Sequence, residues 1–201
     1  MMQSIEGRML KRIRGTGKGA VFSPSQFLDL GSRRAVDIAL HRLVKAGTIR
    51  RLTRGLYDYP KEHPTFGVLF PSPEDVAKTL AGKDAIRFQP SGAYAANLLG
   101  LSDQVPAKIV FLTEGRAKRV KIGRQEIILK RTSPKNMATA GRLSGLVIQA
   151  LRYLGKAHVD DQTLAKLKRK LAEADTSTLM KDVAYAPAWI GDIMKALTKQ
   201  T

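Results

Sequence analysis

Four residues of the segment RRAVDIALHRLVKAG recur at helical spacing and are suited to reading the edges of DNA bases. They are Arg34, Ile38, His41 and Lys45. A guanidinium group can donate two hydrogen bonds to one guanine, and an aliphatic side chain can contact a thymine methyl group. The predicted contact surface also includes the capping residue Ser32 and the arginines Arg33 and Arg42, which lie together with Asp37 at the margins of the face. The pattern therefore predicts a helix that enters the major groove of DNA.

A second basic cluster follows in the segment TIRRLTRGLYDYP. Two short strand-like runs flank Thr53, Arg54 and Gly55, which is typical of a β-hairpin. We expect Arg54 at the tip of this hairpin, with Arg50 and Arg51 adding to its positive charge. A basic hairpin beside a groove-binding helix is suited to contacts with DNA phosphates.

The elements that position these residues have the order of a winged helix-turn-helix. Ser23 and Gln26 form a capping-box pattern at the start of a short helix that Gly31 ends. Ser32 caps the longer helix, and Gly47 closes it. The core-facing side of the longer helix is expected to consist of Val36, Ala39, Leu40 and Leu43. An N-terminal helix before them and the hairpin after them complete the predicted module.

A purely structural winged helix remains an alternative, because protein-binding modules share this order of elements and charged helix faces are often merely solvated. Two features favour DNA. The centre of the exposed face carries arginine and no carboxylate, and the hairpin adds three arginines within five residues.

Catalytic and metal-binding patterns are weak in this chain. The GTGKG segment at residues 15–19 lacks the leading Gly and the final Ser or Thr of a phosphate-binding loop, so a flexible turn is expected. The histidines, His41, His63 and His158, have no second ligand at metal spacing. Acidic residues such as Glu114 are not flanked by a nucleophile. We therefore predict no enzyme activity, no catalytic residues, no metal site and no cofactor.

A basic run between Lys108 and Arg142 holds 10 Lys and Arg residues, with only Glu114 and Glu126 as acids. Its densest part comprises Arg116, Lys118, Arg119 and Lys121. This density predicts a second polyanion-binding surface, for DNA that flanks an operator or for an acidic partner. The alternative is that these Lys and Arg residues protect exposed strand edges from aggregation.

The chain is long enough for two small domains. Prolines cluster between Pro60 and Pro73 and indicate a boundary, which predicts a winged-helix domain at 1–63 and a C-terminal domain at 64–201. In the second domain, KIVFLT reads as a buried strand, the residues around Gly123 as a hairpin turn, and the segment after Pro134 as helical. The predicted fold class is α+β.

Composition favours an anionic partner. The chain of 201 residues has 35 Lys and Arg against 17 Asp and Glu, a formal net charge of +18. It has no Cys, which fits a reducing compartment. The sequence shows neither a signal-peptide pattern nor an apolar run of membrane-spanning length, so we expect a cytoplasmic protein without a membrane partner.

Several segments resemble a known family over nearly the whole chain. They are VFSPSQFLDLGSRRAVDIALHRLVKAGTIRRLTRGLYDYP, PSGAYAANLLGL, QVPAKIVFLTEG, RTSPKNMATAGRLSGLVIQAL and YAPAW. With these segments the chain is similar to the AbiEi-type antitoxins of type IV toxin-antitoxin and abortive-infection systems. The resemblance implies an antitoxin and transcriptional autorepressor. Its winged helix would bind inverted repeats in operator DNA, and its C-terminal domain would neutralise an AbiEii-like nucleotidyltransferase toxin, directly or indirectly.

The same resemblance implies that Arg33, Arg34, His41 and Arg54 carry operator binding, and it assigns no single residue to antitoxicity. Other functions stay open at this point. The chain fits a winged-helix transcription regulator without a toxin, or an RNA-binding protein that uses the basic second domain. An enzyme that modifies the toxin is least supported, because no nucleotide-binding motif is complete.

Overall fold

The computed structural model describes residues 4–82, 87–172 and 179–198. The chain divides into two compact units, Met1–Leu80 and Ala81–Thr201. Both units combine helices with β-sheet, which confirms the predicted α+β class. Across the described ranges, every helix is too short or too polar to cross a bilayer.

The boundary between the units differs from the one expected after residue 63. Residues 64–80 group with the first unit. The Arg50 guanidinium donates a hydrogen bond to the Leu69 carbonyl at 2.9 Å, and the Thr79 hydroxyl donates to the Val21 carbonyl at 2.9 Å. The first bond ties the proline-rich segment, and the second ties the helix that follows it, to strands of the first unit, so the prolines mark a segment within that unit.

The first unit begins with α1 and ends with α3. Its elements in chain order are α1 (Ile5–Thr16), β1 (Val21–Phe22), a 3₁₀ turn (Pro24–Phe27), α2 (Arg33–Lys45), β2 (Arg50–Thr53), β3 (Leu56–Asp58), β4 (Glu62–His63), β5 (Gly67–Val68) and α3 (Pro73–Ala81).

Serine caps set the starts of α1 and α2, and the cap of α2 is the one that the sequence predicts. The Gly7 N–H donates to Ser4 Oγ at 3.1 Å, and the Ala35 N–H donates to Ser32 Oγ at 3.3 Å. Gly47 follows α2 with a φ of 68°, a left-handed conformation that ends the helix without steric cost for glycine. The short helix predicted before α2 is a single 3₁₀ turn.

The main sheet of the first unit is antiparallel, in the order β1-β3-β2. Strands β2 and β3 form the predicted hairpin, and Gly55 makes its turn with a φ of 74°. The core below the sheet consists of Met9, Ile13, Phe22, Phe27, Val36, Ala39, Leu40, Leu43 and Ile49. The four apolar residues predicted for the inner side of α2 are all in this core.

A small hairpin, β4–β5, follows the main sheet within the proline-rich segment. The sequence analysis did not predict it, because four prolines in a short run are more typical of a boundary. The hairpin leaves Phe66 and Phe70 exposed at its tip and exit.

The second unit places a sheet before a group of helices. Its elements are β6 (Phe88–Ser91), α4 (Gly92–Leu98), β7 (Lys108–Thr113), β8 (Lys118–Ile122), β9 (Gln125–Arg131), α5 (Pro134–Met137), α6 (Leu143–Leu154), a 3₁₀ turn (Lys156–His158), α7 (Asp161–Ala172), α8 (Leu179–Asp182), a 3₁₀ turn (Val183–Tyr185) and α9 (Ala188–Thr198). The strand predicted at KIVFLT and the hairpin around Gly123 are confirmed. The sequence also predicts a short strand at residues 85–89, of which residues 85 and 86 lie outside the described residues.

The strands of the second unit lie in the order β6-β7-β9-β8. β9 is antiparallel to β8 and parallel to β7, so it lies between two strands that precede it in sequence. One face of the sheet is buried. There Phe111 makes edge-to-face contacts with Phe88 at 5.4 Å and with Tyr94 of α4 at 5.6 Å between ring centroids.

The helical part of the second unit packs around α6. Its buried residues include Val147 and Leu151 of α6, Leu167 of α7, and Ile190 and Met194 of α9. A polar contact also holds this core together. The Asp182 carboxylate, which is 1% exposed, accepts a hydrogen bond from Ser144 Oγ and pairs with Arg142 Nη1 at 2.7 Å. The buried charge is thus paired and hydrogen-bonded.

Candidate nucleic-acid interface

Helix α2 has one buried side and one exposed side. Val36 and Leu40 on the inner side are fully buried. Arg34, His41 and Lys45 are exposed on the other side, and Ile38 keeps 45% of its surface in solvent. A single exposed aliphatic residue is common on protein surfaces, and between cations on a helix face it is suited to contact with thymine methyl groups.

The arginines at the margins of this face are held in surface ion pairs. Arg33 Nε lies 2.9 Å from Asp37 Oδ2 one helical turn later, and Arg42 Nη1 lies 3.7 Å from Glu6 Oε2 of α1. Asp37 is therefore neutralised locally. Surface pairs of this kind contribute about 0–1 kcal/mol, so phosphate groups can compete for either arginine.

Two of the predicted hairpin arginines are exposed. Arg51 lies on β2, and Arg54 stands beside Gly55 in the turn that joins β2 to β3. Their positions allow contact with a polyanion.

Arg50 is placed differently from the sequence prediction, which grouped it with the DNA contacts. Its Nε and Nη2 donate to the two carboxylate oxygens of Asp58 at 3.1 and 2.6 Å. The Asp58 carboxylate is 1% exposed, so it needs this partner. Arg50 also donates to the Leu69 carbonyl and lies 5.6 Å from the centre of the Phe70 ring. We therefore assign half-buried Arg50 to the stabilisation of the fold and leave it out of the interface.

The sequence contains a signal for the pairing of Arg50 with Asp58. In a hairpin that turns at Gly55, Arg50 and Asp58 fall on neighbouring strands, and they are paired directly across β2 and β3 in the structure. Opposite charges at such positions stabilise each other. The sequence analysis considered the charge of Arg50 and did not consider its cross-strand neighbour.

The second predicted basic surface is only partly brought together. Arg119 and Lys121 point to the same side of β8, because alternate residues of a strand share a face. Lys118 lies on the opposite side of β8, and Arg116 precedes the strand. Two further cations of the predicted basic run, Lys108 and Lys130, share the side of Arg119 and Lys121 through cross-strand register, although they lie outside the densest part of that run.

The remaining candidates for chemistry are dispersed. Within the described ranges, no group of three or more His, Asp or Glu side chains is arranged to hold a metal ion. The ring of His63 packs against Phe66 at 4.8 Å, and His158 Nδ1 lies 3.0 Å from the Leu154 carbonyl. Gly15 and Thr16 of the GTGKG segment end α1, and only residues 17–19 form a turn after it, where the Gly19 N–H donates to the Tyr59 carbonyl at 2.6 Å.

Among the residues that the structure describes, two titratable groups have shifted pKa values, and both have structural explanations. Hydrogen bonds from the hydroxyl and the N–H of Thr163 lower the pKa of Asp160, which precedes α7. A bidentate hydrogen bond to Asp29 raises the pKa of Arg12. Neither group belongs to the α2 face.

The comparisons with known proteins add a family of unknown function and a distant solved structure to these observations. A family model described as "Family of unknown function (DUF6088)" matches residues 8–179. None of the curated proteins compared with the chain matches it. Among solved structures, the RV2827C protein from Mycobacterium tuberculosis is similar at 17% sequence identity, covering 97% of this chain and 82% of that one, with a TM-score of 0.45.

Proposed function

This chain belongs to the family of unknown function DUF6088, and we propose that its first unit is a winged helix-turn-helix that binds operator DNA as a transcriptional autorepressor. Helix α2 would be the recognition helix, and the β2–β3 hairpin would be the wing. The order of α1, β1, the 3₁₀ turn, α2 and the hairpin supports this assignment.

The observation that carries the proposal is the division of α2 into two sides. Val36, Ala39, Leu40 and Leu43 anchor the helix in the core, while Arg34, Ile38, His41 and Lys45 face solvent. The anchored side fixes the orientation of the exposed side, so the base-reading groups are presented on a rigid element. The cylinder of an α-helix fits the major groove of B-DNA.

The charge distribution of the first unit supports the same partner. Arg51 and Arg54 are exposed on the hairpin, and Arg33 and Arg42 flank the helix face. Arginine at the groove discriminates between bases, whereas arginine on the wing binds phosphates of any sequence. We expect Arg34 to act in the first way and Arg54 in the second.

Binding to the promoter of the protein's own gene tests this proposal. The change Arg34→Ala should weaken binding to the promoter by about 1–3 kcal/mol while leaving binding to unrelated duplex DNA nearly unchanged, as gel shifts with both duplexes would measure. Arg14→Ala is a matched control, because Arg14 is an exposed arginine on α1 outside the proposed face. If the Arg34 and Arg14 variants bind the promoter equally, α2 is not the recognition helix.

The second part of the proposal is that the protein is an antitoxin for a nucleotidyltransferase toxin. It is supported by the resemblance to AbiEi-type antitoxins, whose matching segments include PSGAYAANLLGL and QVPAKIVFLTEG of the second unit. The second unit has its own sheet, its own core and its own basic surface. A unit with a separate core can carry a separate activity.

Co-expression with a nucleotidyltransferase encoded beside the gene tests the antitoxin role. The full-length protein with Arg33, Arg34 and Arg54 changed to Ala should restore growth and fail to repress its promoter, because the changes are confined to the α2 face and the wing. Wild-type protein is the control for both readouts. A variant that leaves the toxin fully active would assign antitoxicity to DNA binding.

A further inference from the structure

The sheet of the second unit has a basic outer face, opposite the face that contains Phe111. Cross-strand register places Lys108, Glu126 and Lys121 in one row of this face, and Val110, Ile128 and Arg119 in the next. Lys130 follows Ile128 on the same side of β9. The contact of Arg119 Nε with Glu126 Oε1 at 3.3 Å agrees with this assignment, because both side chains must lie on one face to meet.

The outer face is strongly unbalanced in charge. Lys108, Arg119, Lys121 and Lys130 are exposed, and the carboxylate among them in these strands is Glu126. Arg119 already contacts that carboxylate, which is 22% exposed. The face therefore presents a surplus of positive charge that an acidic partner can complement.

The centre of the outer face is apolar. Val110 and Ile128 are partly exposed between the cations and form the floor of a shallow cavity of about 460 Å³, which Ala117, Arg119 and Lys130 also line. An apolar centre with a charged rim is the usual anatomy of a protein–protein interface. Single-stranded nucleic acid would use aromatic side chains for base stacking, and the rows described above contain none.

We propose that the outer face of β7, β9 and β8 docks an acidic protein segment with an apolar centre. Carboxylates of the segment pair with the rim of Lys108, Arg119, Lys121 and Lys130. Its apolar residues cover Val110 and Ile128. This surface lies in the second unit and its test does not depend on DNA binding by α2.

Fluorescence anisotropy with the full-length protein tests the proposal. The probe is a labelled synthetic peptide with three central apolar residues, Leu-Val-Leu, between two runs of Glu. The wild-type protein should bind it, and the double change Arg119→Gln and Lys121→Gln should weaken binding by about tenfold or more. Ile128→Asp should weaken it similarly, because a carboxylate would replace the apolar floor. The double change Arg169→Gln and Lys170→Gln, on the exposed side of α7, is the charge-matched control and should leave binding unchanged.

Two further probes separate this proposal from simple charge attraction. A peptide of Glu alone with the same net charge should bind about tenfold more weakly, since it cannot cover Val110 and Ile128. Duplex DNA of unrelated sequence should bind the wild type and the Arg119 and Lys121 variant to nearly the same extent. Each of three results would overturn the proposal: no binding of the apolar-centred peptide, equal binding of both peptides, or a loss of DNA binding in a folded variant whose peptide binding is intact. Circular dichroism of each variant verifies that it is folded, and the single change Lys121→Gln replaces the double variant of Arg119 and Lys121 if that variant is not.

Discussion

The α2 face and the outer sheet face are both basic, yet they differ in shape and in what lies between their cations. On α2 the cations follow one exposed stripe of a cylinder, with Ile38 as the exposed apolar residue among them. On the sheet the cations surround a flat apolar centre of Val110 and Ile128. Positive net charge indicates that an anionic partner fits both surfaces. The shape of the helix or sheet that carries the charge decides which kind of anion fits.

The same contrast occurs within the β2–β3 hairpin. Arg50 and Arg54 are four residues apart in sequence. Arg50 is bound to the buried Asp58, while Arg54 is exposed in the turn. Two arginines of one hairpin thus differ in role, because Arg50 stabilises the fold and Arg54 is available to a partner.

The largest expected effect is a loss of stability that is confined to the second unit. Gly145→Ala would place a Cβ atom 2.2 Å from the Thr139 carbonyl oxygen and 2.8 Å from Gln89 Oε1, so the backbone of α6 must shift. We expect the second unit to lose about 3 kcal/mol or more of unfolding free energy. Urea unfolding followed by the fluorescence of Trp189 measures this, because the chain has one Trp and it packs against the core of the second unit.

The matched control for this change is Gly191→Ala in α9. Its Cβ atom would lie 3.1 Å from Val183 Cγ1, a side-chain atom that can move, so a smaller loss is expected. Promoter binding by the Gly145→Ala variant gives the second readout. Binding should persist in urea concentrations that unfold the second unit, and its loss in the same transition would show that the two units unfold together.

The next largest effect concerns Arg50. Arg50→Ala removes the partner of the buried Asp58 and should destabilise the first unit by about 2–3 kcal/mol, somewhat less than for a fully buried pair because the Arg50 side chain is 30% exposed. Hydrogen exchange of the α2 amides measures the loss. Arg54→Ala should change the stability by less than about 0.5 kcal/mol. Adding Asp58→Ala to Arg50→Ala should recover part of the loss, and no recovery would mean that the pair is not the cause.

The smallest effect distinguishes the proposed wing from the proposed recognition helix. Arg54→Ala should lower the slope of log binding constant against log salt concentration by about 1, because one phosphate contact is removed. The relative affinities for promoter and unrelated DNA should stay the same. Titrations at several salt concentrations measure the slope, and an unchanged slope would place the Arg54 side chain away from the phosphates.

Much of the local structure was predictable from sequence. The start of α2 at Ser32, its buried face, the strand Lys108–Thr113 and the hairpin at Gly123 all follow from caps, periodicity and turn residues within a few positions of each other. The hairpin Glu62–Val68 was missed, because its prolines indicate a break in regular structure while a two-residue strand pair leaves almost no periodic signal. The exposure of the predicted α2 face was predictable in full, whereas the pairing of Arg50 with Asp58 in the hairpin was not predicted.

The sequence by itself determined which residues share a face of each helix or strand, because that depends only on the local backbone period. It also determined the positive charge of both surfaces. Only the tertiary structure decided that Arg50 is bound by Asp58 and that Lys108 and Lys130 join Arg119 and Lys121 on one face. These pairings depend on strand register and strand order. The parallel pairing of β9 with β7 is determined by the burial of the whole sheet face and not by residues that are neighbours in sequence.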